Sequence, residues 1–176
     1  MNRELKKRAI LILPEFDNIH EIEVIRKQYD PLYKKIAPHI TVVFPFESGM
    51  SCDEVLQHVE NSTKRCSHFT VRMGGYSGYD NEYLFLNVIQ GNDEIIDLHQ
   101  QLYSGILERY HEPQYTFLPH MTVGRLSNQA DFFKALEKIQ KRDTIFETEV
   151  KQIAIEVIDG NEYGMVEAKV PIFKTI

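Results

Sequence analysis

The residues best equipped for chemistry in this chain are His39 and Thr41, and the pair occurs twice. Pro38-His39-Ile40-Thr41-Val42 returns as Pro119-His120-Met121-Thr122-Val123, 81 positions further on (39 to 120), in a chain of 176 residues. Four of the five positions are identical and the fifth is apolar in both copies, so the repeat points to two related half-sites. An imidazole titrates near pH 6.5, so at neutral pH one copy can take a proton while the other gives one. A threonine hydroxyl both donates and accepts, and can hold a phosphate oxygen or a water beside the imidazole. Two such pairs converging across a groove supply a base, an acid and two anion donors. That is the minimum set for in-line displacement at phosphorus, where positioning and charge stabilisation do most of the work. The near symmetry leaves the assignment of base and acid open.

These side chains need extended backbone to share a face. In a strand, residues two apart point the same way, which puts His39 and Thr41 on one side and Ile40, Val42 and Phe44 on the other. The second copy sets His120 and Thr122 against Met121 and Val123. The proline before each histidine fixes its own φ and favours an extended residue ahead of it, which suits a strand entrance. After Val123 the copies diverge: Gly124-Arg125 stands where the first has Val43-Phe44. The lost bulk at Gly124 makes room for substrate or for close backbone approach. Arg125 is a candidate phosphate ligand by type, although strict alternation puts it on the face away from His120 and Thr122.

The remaining elements repeat around the two motifs. Arg8 to Pro14 reads as a buried strand, Asp17-Asn18 caps a helix running to Tyr29, and Ser51 with Glu54 forms a capping-box spacing for a helix ending near Lys64. Strands at 69–73 and 83–88 flank a glycine- and tyrosine-rich loop at 74–81 that reads as a flap or a plain hairpin connection. Asn92 reads as the cap of a helix whose spacing runs to Tyr110, Ser127 or Asn128 opens another helix to Lys141, and a hairpin pairs Glu147–Ile158 with Gly164–Ile172. No linker rich in Gly, Pro or Ser separates the halves, so residues 1–176 are expected to form a single domain of two intertwined lobes.

Two His-hydrophobic-Thr motifs, one in each half of a chain of this size, resemble the two-histidine (2H) phosphoesterase superfamily, nearest its 2′-5′ RNA ligase-like and YjcG-like branch. The resemblance implies an α+β, bilobal, pseudo-twofold fold, with two antiparallel-rich sheets flanking a central cleft and helices outside. It implies metal-independent cleavage or formation of phosphodiesters, at 2′,3′-cyclic or 2′,5′-linked nucleotides or RNA ends, without a cofactor. Carried over residue by residue, the catalytic positions fall on His39, Thr41, His120 and Thr122. A non-catalytic nucleotide- or RNA-binding module built on the same cleft is the alternative.

Composition narrows the partners. Apolar residues make up 43% and charged residues 26%, ordinary for a globular protein. Net charge is −6, which disfavours a duplex held by a broad basic surface and leaves small nucleotides or RNA ends gripped locally. No apolar run is long enough to span a bilayer, and the basic start leads into a strand rather than a signal peptide, so the expected compartment is the cytoplasm. Cys52 and Cys66 lack metal-site spacing, no third ligand accompanies the motifs, and no metal is expected. Phe46, Tyr79, Tyr83 and Tyr115 are candidates for stacking on a base, with core packing or loop ordering as the competing use of each. His20, His58, His68, His99 and His111 lack the motif and read as structural or surface groups.

Overall fold

The computed structural model describes residues 4–173; the outermost three residues at each end of the expected 1–176 unit lie outside the described residues. Its elements run β1 (Lys6–Ile12), α1 (Ile19–Tyr29), β2 (Ile40–Ser48), α2 (Cys52–Thr63), β3 (Phe69–Tyr79), β4 (Tyr83–Gln90), α3 (Asn92–Leu102), a 3₁₀ turn (Gly105–Tyr110), β5 (His120–Arg125), α4 (Gln129–Gln140), β6 (Phe146–Val150), β7 (Gln152–Ile158) and β8 (Gly164–Pro171). Two four-stranded antiparallel sheets result, in the orders β2-β1-β7-β8 and β5-β4-β3-β6. This is the α+β, pseudo-twofold arrangement that the family resemblance implied. Each motif strand forms the edge of its own sheet, and β2 and β5 lie alongside one another.

The helices are exchanged between the halves. α1, which precedes β2, packs on β5, while α3, which precedes β5, packs on β2. The aliphatic faces of both sheets and the inner sides of the helices meet in one core that includes Ile10, Ile12, Ile40, Val43, Leu84, Leu86, Met121 and Val123. Burial of that apolar area, at about 25 cal/mol per Å², is what holds the two motif strands side by side.

Three boundaries differ from the sequence reading. The 74–81 stretch is no flap: β3 runs on to Tyr79, absorbs Gly75 (φ 69°) in an irregular stretch of register, and turns through left-handed Asp80 and Asn81. Short polar side chains tolerate that conformation. The 92–110 helix breaks after Leu102, where Gly105 (φ 51°) redirects the chain into the 3₁₀ turn, and Gly91 (φ 94°), not Asn92, occupies the N-cap. The 147–158 strand is two strands in different sheets, β6 and β7, joined at Lys151. Buried apolar positions are even-numbered before it (Phe146, Val150) and include odd-numbered Ile153 and Ile155 after it, a slip of phase that one continuous strand cannot accommodate.

The two helix caps follow expectation. Ser51 and Glu54 form the reciprocal capping box of α2, and the Asn128 side chain accepts from the Asp131 N–H at the start of α4.

Candidate active site

Each motif strand carries the same irregularity at the same place. Leu11 pairs with Thr41 but Ile10 pairs with Val43; Phe85 pairs with Thr122 but Leu84 pairs with Gly124. One residue is therefore inserted into each motif strand immediately after the threonine, and the alternation of faces slips there. Val42 and Val43 are both fully buried, and Phe44 turns outward at 43% exposure instead of joining Ile40 and Val42 in the core. In the second copy the slip brings Arg125 opposite Tyr83, on the face shared by Phe85, Asn87, His120 and Thr122. Arg125 thus lies on the histidine side of its sheet, contrary to strict alternation.

A bulge on an edge strand leaves backbone groups that need partners. In β2 they are met by α3: the Val42 carbonyl accepts from His99 Nδ1 at 2.8 Å, and the Phe44 N–H donates to the Tyr103 hydroxyl at 3.0 Å. His99 is buried and lies face to face with Phe117, ring centroids 3.7 Å apart. Its role is structural, as its lack of a motif suggested. In β5 the corresponding space at Gly124 is filled by α1, since an added Cβ would stand 2.8 Å from Tyr29 Cβ and 2.9 Å from Leu84 Cδ1. The small residue admits the helix, not a substrate.

The two imidazoles are held alike. His39 Nδ1 lies 2.8 Å from the Ala37 carbonyl and His120 Nδ1 lies 2.7 Å from the Leu118 carbonyl, in each case the carbonyl of the residue before the motif proline. A carbonyl only accepts, so Nδ1 carries the proton in both rings and Nε2 is the nitrogen left for chemistry. Among the described residues nothing bonds to either Nε2. Burial pulls both pKa values below 6.5, opposed in each ring by the bond to the carbonyl. For His39, Arg26 adds to the lowering, Asp30 opposes it, and a charge on His120 lowers it further. The rings are thus near enough that a proton on His120 disfavours one on His39.

Each half-site has its own walls. Beside His120, Phe85 stacks on the imidazole at 3.7 Å and 23°, Tyr79 stacks on Phe85 at 5.8 Å and 14°, and Tyr83 lies 6.3 Å from Phe85. Tyr79, 58% exposed, is the open end of this ladder. Arg125 lies over Tyr83, 5.2 Å from the ring centroid, and its Nε donates to Glu82. Beside His39, the buried Arg26 guanidinium bonds Asp30 at 2.7 Å and the Ile36 carbonyl at 2.7 Å, fastening the loop from which the histidine projects. His39 and Thr41 border a recess of about 220 Å³ whose other walls come from β1, β7 and that loop. A larger, more open groove of about 580 Å³, lined by Met50, Glu54 and Arg109 among others, contains neither histidine. Of the two, only the smaller recess is bordered by a motif histidine and threonine.

The other sequence candidates fall elsewhere. Phe46 pairs with Arg8 on the core face, is 5% exposed and packs 5.0 Å from Tyr110, so the structure does not bring it to the histidines. A further register shift between Ile10 and Arg8 puts it there. Tyr115 sits in the loop before β5, 60% exposed, its N–H donating to the Glu112 carbonyl. Sequence reading missed Phe85, Glu82 and Arg26, while Tyr83, a stacking candidate there, does lie in the aromatic group beside His120. The period-two spacing of Tyr83 and Phe85 was visible, but not the register that sets Phe85 on His120. Among the described residues, no group of three or more His, Cys, Asp or Glu side chains is placed to hold a metal ion.

A family model described as the 2′-5′ RNA ligase superfamily matches residues 14–162. A Bacillus licheniformis protein named "Putative phosphoesterase" is 32% identical over 127 residues, covering 69% of this chain and 72% of that protein. A Bacillus cereus protein of the same designation is 29% identical over 147 residues, covering 80% and 82%. Among solved structures, E. coli LigT complexed with NADP+ superposes with a TM-score of 0.67 at 16% identity, covering 97% of this chain and all of LigT. LigT complexed with 3′-AMP gives 0.62 at 16% identity, covering 96% and 98%. At such identity the structural likeness speaks for the fold.

Proposed function

The chain belongs to the 2′-5′ RNA ligase superfamily, among the 2H phosphoesterases, and we propose that it cleaves a phosphodiester in a small 2′,3′-cyclic or 2′,5′-linked nucleotide or RNA end, or forms that bond in reverse. The observation that carries the reading is the matched tethering of both imidazoles, Nδ1 spent on a carbonyl and Nε2 left open. In the proposed reaction one Nε2 takes the proton of the attacking water as the other protonates the departing ribose oxygen. Thr41 and Thr122, which share their histidines' faces, hold the non-bridging oxygens. Ligation runs the same steps backwards, with a ribose hydroxyl as nucleophile.

Tyr79 is proposed to receive the second base of a 2′,5′-linked dinucleotide or RNA end on the outer end of the aromatic ladder, and Arg125 to turn a remaining N–H of its fork toward the phosphate. LigT is described in complexes with ATP, NADP+ and 3′-AMP, which supports a small nucleotide as the ligand class here. No helix among the described residues is long and apolar enough to cross a membrane, and both cysteines are free, which supports the proposed cytoplasmic location.

A panel of 2′,3′-cyclic nucleotides, 2′,5′-linked dinucleotides and cyclic phosphates of ADP-ribose, followed by phosphorus NMR, tests the reading. Conversion of at least one, lost in His39→Ala and in His120→Ala, is expected. No conversion by the parent, with nucleotide bound equally by parent and variants, would make the protein a binding module instead.

A further inference from the structure

The recess beside His39 contains a group that the phosphodiester chemistry does not use. Glu156, on β7, is 3% exposed, and among the described residues its carboxylate has no hydrogen-bond or ion-pair partner. Burial raises its pKa, as expected for a carboxyl short of donors. An uncompensated buried carboxylate is costly, and a structural one is normally paired. The chain makes room for it: a Cβ on Gly164 of β8 would fall 1.3 Å from Glu156 Oε1. Gly164 is not in the left-handed region, so its backbone does not require glycine, and the space is kept for the carboxyl.

The surroundings describe the missing partner. Ala9, Leu11, Leu32, Ile36 and Ile158 give the recess most of its apolar wall, Lys7 and Glu162 also line it, Glu156 supplies buried acceptors, and His39 and Thr41 stand at its border. Thr41, Leu11 and Ala154 pair across β2, β1 and β7, and Glu156 is two residues beyond Ala154 on the same face. Two strand spacings of about 4.8 Å and two residues of about 3.4 Å put Glu156 roughly 12 Å from Thr41 between Cα atoms. That is comparable to the reach of a nucleotide from its phosphate to the far edge of its base.

We propose that this recess takes the guanine base of the substrate, Glu156 accepting hydrogen bonds from guanine N1–H and N2–H. The apolar walls suit a planar ring. Guanine is the common base that presents two adjacent N–H donors, matching the two acceptor oxygens of a carboxylate. Adenine and cytosine set a ring acceptor beside the amino group, which would face a carboxylate oxygen unfavourably. The proposal rests on the nucleotide reading above and deepens it by naming the base.

Affinities of 3′-GMP and 3′-AMP for the parent and for Glu156→Gln, measured by calorimetry, test it. The rates at which both proteins open guanosine and adenosine 2′,3′-cyclic phosphates are measured alongside. The parent is expected to favour guanine by about tenfold or more, the scale of one bidentate pair. Glu156→Gln should reverse the preference toward adenine, because a carboxamide offers one donor and one acceptor. A merely structural carboxyl would not move a base preference. Equal affinities in the parent overturn the proposal without recourse to any variant, as does a guanine preference unchanged in a folded Glu156→Gln protein. Gly164→Ala, which displaces the carboxyl, should weaken 3′-GMP selectively. Guanine preference without turnover would leave the base assignment standing and remove the hydrolase reading; turnover without base preference would do the opposite.

Discussion

At each imidazole the decisive contact is a backbone carbonyl two residues back. It fixes the tautomer, so the two rings differ in surroundings rather than in which nitrogen they present. His39→Ala and His120→Ala are each expected to lower the cleavage rate by about 10²–10⁴, the usual worth of a positioned acid or base. The pH profile follows from the lowered pKa values of both rings. A lowered value keeps the base unprotonated further into acid and strips the acid of its proton earlier as pH rises. Both limbs of the bell therefore move to lower pH, and kcat/KM, which reports the free enzyme, should peak below pH 6.5. A phosphate anion between the rings favours their protonated forms, so the kcat profile should lie at higher pH. A kcat/KM maximum well above 7 in a titration would contradict two imidazoles whose pKa values are held down by partial burial.

At the scale of elements, the paired bulges do most to shape the site. They send two consecutive residues of each motif strand into the core and swing Arg125 onto the histidine face. The helix of the other half packs over each: the α3 end bonds the freed groups of β2, and α1 fills the space at Gly124 of β5. Tyr103→Phe removes the acceptor of the Phe44 N–H, and a loss of about 1 kcal/mol is expected in urea unfolding, the usual net worth of a partly buried hydrogen bond. Gly124→Val, which copies the residue of the first motif, forces a side chain against Tyr29 and Leu84. That overpacking should cost about 1–3 kcal/mol and, by shifting β5 against α1, reduce activity as well. A Gly124→Val protein with parental stability would show that α1 yields freely at that contact.

For the molecule as a whole, the exchanged helices and the strand switch at Lys151 tie each half to the other. Neither half can bury its motif strand alone, so residues 1–176 are expected to unfold in one transition, with coincident midpoints by far-ultraviolet circular dichroism and by tyrosine signals. Two separated transitions would mean independent lobes. Activity is also expected to persist in excess EDTA, since two imidazoles and two hydroxyls suffice for the proposed proton transfers; loss on chelation, restored by a divalent ion, would require a metal step.

The sequence by itself determined the half-sites, since a repeated Pro-His-x-Thr is a local pattern and alternation suffices to put each histidine beside its threonine. It also set the α2 and α4 caps and the strand-helix-strand order, because caps and periodicity act over a few residues. Only the tertiary structure decided the side of Arg125, the burial of Phe46 and the stacking of Phe85 on His120. Each depends on strand register, and one inserted residue reverses every face after it. The same holds for Glu156 and Gly164, on neighbouring strands β7 and β8: that one makes room for the other is a fact of pairing between strands, which no local pattern records.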